Sequence, residues 1–371
     1  MKVIISCCGW FHARHAAYSA YKAGILDKFI TTNIYESKVP KELTKKIPLI
    51  EKIEWYSRKI PLLNRLANFN LVKKKLYDKI ASGYIDNDCN IFHGFSSLQE
   101  ESFKLAKERG GITIVDRGIA HPLKQIELLS EFLDTKKLPS KRNIERQIEE
   151  FCNADYVFVP SQFVYDSFIE YGFDQAKLIH LPFGVDIEDF KPGIKKDNIF
   201  RIIFVGMLCF RKGVHLLIKA FDELNLSKSE LILIGNIKDE IKPILRKYRN
   251  TENLKVMGSI SHSALTDYYC NSSCFVFPSF LEGSAYVTYE AMACGLPIVV
   301  TPNTGAVIQD GQEGFIVPVR CVDSLKEKIL LLYENKELRE QMSKNAVVTA
   351  RKFTWKTYGE RLIRIYEQIV K

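Results

Sequence analysis

Two cationic side chains, Arg211 and Lys212, follow the β-branched run RIIFVG, which ends at Gly206, and precede the helical pattern VHLLIKAFDEL. A strand that closes on glycine and feeds a helix lets backbone amides approach an anion, and the helix macrodipole favours negative charge there. The guanidinium and ammonium beside it add bidentate and point-charge donors, the set that a diphosphate requires. Taken alone, the pair also fits a basic loop that is merely solvated. Further on, the run FPSFLEGSAYVTYEAMACGLPIVVTP reads as strand, turn at Glu282 and Gly283, helix through Glu290, stop at Gly295, and strand. Seven residues separate Glu282 from Glu290, which places one carboxylate before the helix and the other about two turns inside it. Ionised carboxylates accept hydrogen bonds from paired hydroxyls, the chemistry of sugar and ribose recognition. Glu290 also fits an acidic residue that complements the dipole of its own helix.

In the first half of the chain, His121 follows ITIVD in the loop RGIAHP, at the carboxyl end of a strand, where open α/β sheets bind ligands. His12, His15 and His93 are weaker candidates of the same kind, and Gly9 follows the first strand in CGW. Asp86-Asn87-Asp88 has the form of a metal-binding D-x-D, but it lies in a polar turn before a strand, where Asp and Asn bond locally. No metal site is expected. Residues 38–79 hold twelve Lys/Arg against four Asp/Glu, interleaved with Ile50, Ile53, Trp55, Tyr56, Ile60 and Leu62. Such a stretch suits an anionic membrane surface, or else a solvated helical excursion with a core-facing stripe. No nucleic-acid-binding signature accompanies the charge.

The elements that must position these groups alternate strand and helix throughout, the pattern of parallel sheets wound with crossover helices. Expected strands are 2–7, 29–32, 90–95, 112–116, 156–160 and 177–181 in the first half. In the second half they are 201–205, 230–234, 254–257, 274–278, 297–301 and 315–317. A length of 371 residues suits two domains, and LPFGVDIEDFKPGIKKDN reads as a polar linker with the boundary near Asp186. The expected domains are 1–185 and 186–353, with 354–371 forming a helix whose stripe of Tyr358, Leu362, Ile365, Tyr366 and Ile369 crosses back onto the first. No apolar run is long enough to cross a bilayer and the amino terminus lacks a signal-peptide pattern, so a cytoplasmic location is expected, with the inner membrane face as a peripheral site. The nine cysteines show no C-x-x-C pair, and neither disulfides nor zinc are expected.

At these motifs the chain resembles the retaining glycosyltransferases of family four, which have the GT-B fold of two facing Rossmann-like domains. The resemblance rests on VGMLCFRKGVHLLIKAF, LEGSAYVTYEAMACGLPIVV and DGQEGFIVP in the second half, with weaker echoes in HGFSS, ADYVFVPSQFVYDSFIEYGF and LIHLPFGVDIEDFKP. It implies that Arg211 and Lys212 hold the donor diphosphate, that Glu282 lies by the transferred sugar, and that Glu290 grips the ribose. By the same resemblance Ser284, Ala285, Tyr286 and Val287 meet the sugar and phosphate through their amides, and the segment from Gly258 to Ile260 faces the base. Gly9 and Gly206 lie against the phosphates and His121 near the reacting sugar. The chain departs from the family's pattern at Ala285, where a glycine is usual, at Met207, near which an arginine is usual and Arg211 substitutes, and at Ala306, where a glutamate is common. The implied activity is transfer of a hexose from a nucleotide-diphosphate sugar, UDP-sugars ahead of GDP-mannose, to a saccharide or lipid-linked acceptor in cell-surface glycan synthesis, without a cofactor. A nucleotide-sugar epimerase on the same fold, a phosphorylase, and a non-catalytic nucleotide-sugar-binding protein are the rival readings.

Overall fold

The computed structural model describes residues 1–9, 12–32, 37–59, 69–95, 99–130, 138–248 and 252–371. Trp10, Ile60, Leu62 and the serines of HGFSS lie outside the described residues, as does the side chain of Tyr56.

Two sheets, parallel in every pairing, carry the molecule. The first contains β1 (Val3–Cys7), β2 (Leu26–Thr31), β3 (Thr44–Lys46), β4 (Ile91–Phe95), β5 (Ile112–Asp116), β6 (Tyr156–Val159) and β7 (Leu178–His180). The second contains β8 (Phe200–Val205), β9 (Ser229–Ile234), β10 (Leu254–Gly258), β11 (Cys274–Phe277), β12 (Ile298–Val300) and β13 (Gly314–Ile316). Every residue of β1, β4, β8 and β11 is buried, as a strand with helices on both faces of its sheet must be.

The strand orders are β3-β2-β1-β4-β5-β6-β7 and β10-β9-β8-β11-β12-β13. In each, the chain winds outward one way from the first strand and then the other way from its neighbour. The carboxyl ends of β1 and β4, and of β8 and β11, therefore flank a crevice where the direction of winding reverses, the ligand position of doubly wound sheets. Together these are two doubly wound, Rossmann-like domains, as the alternation of strands and helices predicts.

Residues 181–199 join the sheets as a linker, largely exposed from Lys191 onward, but its first part is more buried than a polar stretch suggests. Leu181, Phe183, Val185 and Phe190 are buried, and the Val185 N–H donates to Phe353 O at 3.0 Å, so that two chain segments cross between the domains side by side. The second of these leads into the helix Trp355–Ile369, which packs on helix Ala13–Lys22 of the first domain as its stripe requires. Tyr358, Leu362 and Tyr366 are buried there, and the Tyr366 hydroxyl meets His93 Nδ1 at 2.6 Å.

Of the basic stretch, helix Pro48–Lys59 buries Ile50 and helix Phe69–Ser82 buries Tyr77 and Ala81, while Trp55 and Val72 are exposed. Asp86 and Asp88 bond to Lys28 and Lys2, at the amino end of the first sheet and on the edge away from the crevice. No disulfide joins any of the nine cysteines. Among the described residues no helix is long and apolar enough to cross a membrane.

Candidate functional site

The loop after β8 and the loop after β11 are bound together by their backbones. Phe280 N–H donates to Arg211 O at 2.8 Å, and Ser279 Oγ donates to the same oxygen at 3.2 Å. Gly213 makes the approach feasible: it sits at a φ of 69°, and a Cβ there would fall 2.0 Å from Pro278 O. The consequence is a charge cluster at the crevice of the second sheet. Arg211 Nη1 and Lys212 Nζ each lie 2.8 Å from Glu282 Oε1, and Ser279 Oγ lies 3.4 Å from it. Lys212 runs over Gly206, where a Cβ would stand 3.4 Å from Lys212 Cδ, and its ammonium is 4.9 Å from the Phe277 ring centroid. Lys212 and Glu282 are largely sheltered, whereas Arg211 is about a third exposed.

Helix Tyr286–Ala293 begins at Ala285 with no side-chain cap, and every residue from Thr288 to Ala293 is buried, so Glu290 is largely sheltered where it meets the cleft. It stands little more than one turn into the helix, nearer the start than the sequence pattern implies. Tyr269 donates its hydroxyl to Glu290 Oε2 at 3.1 Å, and His262 Nε2 lies 3.1 Å from Oε1. This is the wrong partner set for a carboxylate that only complements a dipole. Glu290, His262 and Tyr286 line a cleft of about 1310 Å³ together with His12, Arg14 and Trp355, which belong to the first domain and the crossing helix. The cluster at Glu282 and the cleft at Glu290 thus flank the two ends of one loop-helix segment, without a direct contact between the carboxylates.

The remaining sequence-predicted residues fall around these two points. Ser284 bonds the Tyr289 hydroxyl and Gly305 O, both at 2.9 Å, and Ala285 N–H donates to Thr304 O at 3.2 Å, which fixes the approach to the helix. Val287 is half-buried beneath. Ile260, half-buried, follows β10 on the same edge of the sheet as the loops after β8 and β11. Gly9 follows β1 with φ 123°.

His121 is placed differently. It is buried, stacks on Tyr171 at 4.9 Å, and its Nδ1 accepts the Leu123 N–H at 3.3 Å as the cap of helix Pro122–Leu129. Burial, helped by Arg117, lowers its pKa to about 4. The loop that carries it does reach the second domain, for Gly118 O abuts Gly283, but no described contact joins the ring to Glu282.

Sequence reasoning missed His262 and Asp116, the carboxylate on which two of its weaker candidates, His12 and His93, converge. His262, on the helix after β10, carries no motif and shows itself only through its bond to Glu290. At the crevice of the first sheet, His12 Nε2 lies 2.9 Å and His93 Nε2 3.6 Å from Asp116 Oδ2. Burial would raise the Asp116 carboxyl, but the two histidines bring it down to about 2, while burial lowers His93. Asp116 is thus an anion enclosed in the first domain, and its position at the end of β5 is the signal that a reading by strand ends would have used.

Residues 185–348, which include the whole Arg211–Glu290 constellation, match a family model described as glycosyl transferases group 1. An uncharacterized glycosyltransferase of Methanocaldococcus jannaschii is 30% identical over 169 residues, 45% of this chain and 48% of that protein. The capsular polysaccharide biosynthesis glycosyltransferase CapM of Staphylococcus aureus is 32% identical over 182 residues, 47% of each chain. The chain spans about half the length of these curated relatives. The structure of Anabaena HepE in complex with UDP-glucose superposes over 99% of this chain and 100% of that one, with a TM-score of 0.70 at 17% identity.

Proposed function

We propose that the chain, whose residues 185–348 match the group 1 glycosyl transferases, transfers a hexose from a UDP-sugar, with retention of anomeric configuration, to a saccharide or lipid-linked acceptor. The observation that carries this reading is the meeting of Arg211 and Lys212 on one oxygen of Glu282, at the crevice where the second sheet reverses its winding. Two cations converging on a single partly sheltered point form a receptor for a group with more than one negative charge. The UDP-glucose bound to HepE supports a UDP-hexose as the kind of donor, and the name of CapM supports a surface polysaccharide as the kind of product.

In the proposed reaction the donor diphosphate takes the amide-rich helix start and the two cations. Glu282 keeps Oε2 for a hydroxyl of the sugar, and Glu290 accepts the ribose hydroxyls. The bond from the anomeric carbon to the diphosphate oxygen breaks, and the acceptor oxygen bonds to the same face of that carbon. The acceptor proton passes to a diphosphate oxygen. Charge grows on the leaving group, so Arg211 and Lys212 contribute most in the transition state. Closure of the two edges excludes water and protects the donor from hydrolysis. Exposed Trp55 and Val72 beside the lysines of 38–79 support contact with an anionic membrane.

A panel of UDP-, GDP- and ADP-sugars read by thermal stabilisation tests the donor, and proton NMR of the product tests the stereochemistry. Stabilisation by UDP-sugars and an axial product from an axial donor are expected. An inverted product, or a donor left intact with every acceptor, overturns the reading.

A further inference from the structure

Two histidines of the first domain stand at the amino ends of helices and spend their rings differently. His121 gives Nδ1 to its own helix as the cap. His12 precedes helix Ala13–Lys22 and makes no side-chain cap. Its Nε2 meets Asp116 Oδ2 at 2.9 Å, the two side chains being 3% and 5% exposed. Phe95, Phe183 and Tyr358 surround the ring at centroid distances of 4.9, 4.2 and 5.9 Å, so it cannot swing without repacking that point.

Asp116 is held in turn. His93 Nε2 stands 3.6 Å from the same carboxylate oxygen, and the Tyr366 hydroxyl lies 2.6 Å from His93 Nδ1, a file of polar groups running from the crossing helix to β5. Against burial, which would raise it, His12 and His93 bring the Asp116 carboxyl down to about 2, so it is an anion. An anion beside a neutral imidazole places the ring proton on the nitrogen that meets it. The proton of neutral His12 is therefore on Nε2, and Nδ1 keeps its lone pair. Among the described residues no hydrogen bond uses that atom, and His12 lines the cleft together with Tyr286 and Glu290 of the second domain. The hydroxyl of Tyr358, whose ring meets His12 edge-on, is buried and also without a hydrogen-bond partner among the described residues. A buried cluster that serves only the fold satisfies its own polar atoms. This one stops short at the cleft.

We propose that His12 Nδ1 accepts a hydrogen bond from a hydroxyl of the acceptor, one beside the hydroxyl that reacts, and that Asp116 is the positioning residue that fixes the ring for it. The proposal deepens the transferase reading and rests on it. The charged groups assigned to the donor, Arg211, Lys212, Glu282 and Glu290, all lie on the second domain, which leaves His12 to the acceptor. A lone pair without a proton takes an O–H and disfavours a phosphate or carboxylate oxygen, so the acceptor presents a neutral sugar or polyol here. The reacting hydroxyl is left to the diphosphate.

The test uses protein with isotope-labelled histidine, saturated with UDP at about pH 8, above the ordinary histidine value, and follows the ring nitrogens by NMR, with His12→Gln assigning the signal. His12 is expected to carry its proton on Nε2 and none on Nδ1, and Asp116→Asn to lose that preference. Methyl α-glucoside and myo-inositol are then titrated, with inorganic phosphate as the control. A saturable shift of Nδ1 with either probe, phosphate being inert, supports the proposal, and the stronger response tells a sugar from a polyol. His12→Gln is expected to weaken that probe by about tenfold, read by saturation transfer, while stabilisation by UDP stays at the wild-type value and shows that the variant is folded. A proton on Nδ1, no response to either probe, or a response to phosphate alone overturns the proposal. So does a shift brought by UDP-glucose over UDP when both probes are inert, which would put the hydroxyl on the donor. A pair that serves only the fold would move the melting temperature and leave Nδ1 indifferent to sugars. Failure of UDP to stabilise the wild type overturns the donor reading instead.

Discussion

A carboxylate oxygen shared by a guanidinium and an ammonium is satisfied as it stands, so a diphosphate entering beside Glu282 must take a share of both cations. Lys212 is the more sheltered of the two, its stem lying over Gly206, and its charge reaches the crevice without a competing solvent shell. Lys212→Ala is therefore expected to weaken UDP by about tenfold to a hundredfold, the value of one charge-assisted bond, and to leave uridine affinity within a few-fold. Equal losses for UDP and uridine in a titration would remove the diphosphate assignment. Glu290 makes the complementary case. Glu290→Ala is expected to bind UDP and 2′,3′-dideoxy-UDP alike, whereas the wild type prefers UDP by about tenfold. That Arg211, Lys212 and Glu282 come together was legible in their spacing within two strand-loop-helix segments. His262 was not, because a bond from one helix to another leaves no mark in local spacing.

At the scale of the element, His121 shows how one residue type serves two ends. A histidine at a strand's carboxyl end invites a functional reading, but here the ring caps helix Pro122–Leu129 and packs on Phe168 and Tyr171. With its pKa lowered to about 4, it stays neutral in the fold at pH values where the unfolded chain takes up a proton. Stability is thus whole above the ordinary histidine value of about 6.5 and is lost as pH falls from there towards the folded value. Asparagine retains an acceptor for the Leu123 N–H and has no proton to bind. His121→Asn is expected to flatten the fall of melting temperature between pH 7 and 4 by the uptake of about one proton, with transfer within a few-fold of wild type. A loss of a hundredfold in kcat at unchanged stability would return the ring to the reaction. The strands themselves were read with little error, since each buried β-branched run stands out. The exception was β3, three residues of TKK at the sheet edge, half-exposed and without the apolar content that marks a strand.

At the scale of the whole molecule, the two Rossmann-like domains touch at a backbone point, Gly283 on Gly118, that does not tolerate a side chain. Gly283 meets Gly118 O across the cleft, and Ser161 Oγ donates to Gly283 O, so the loop that carries Glu282 is held against the end of β5 and the start of helix Gln162–Glu170. None of this was legible in the sequence. A glycine beside a glutamate reads as a turn, and the need for it arises only from a partner segment more than a hundred residues away in the chain. The burial of the linker's first part was not legible for the same reason: its Phe183 lies 4.2 Å from His12 and 4.9 Å from Tyr286, ring to ring, in a stretch with loop composition. Gly283→Ala separates closure from binding. The added methyl falls inside the space of the Gly118 carbonyl, so one domain edge is expected to move from the other. Arg211, Lys212 and Glu290 all lie on the second domain, so UDP affinity is expected to stay within a few-fold. Transfer needs the acceptor edge in register, and a displacement of about an ångström at the reacting atoms costs on the order of a hundredfold, so kcat should fall by about that factor while donor hydrolysis, with water admitted to the opened cleft, rises relative to transfer. Stopped-assay kinetics with product and free sugar counted separately read both quantities, and an alanine variant with wild-type kcat and an unchanged hydrolysis ratio would show that this contact plays no part in the catalytic state.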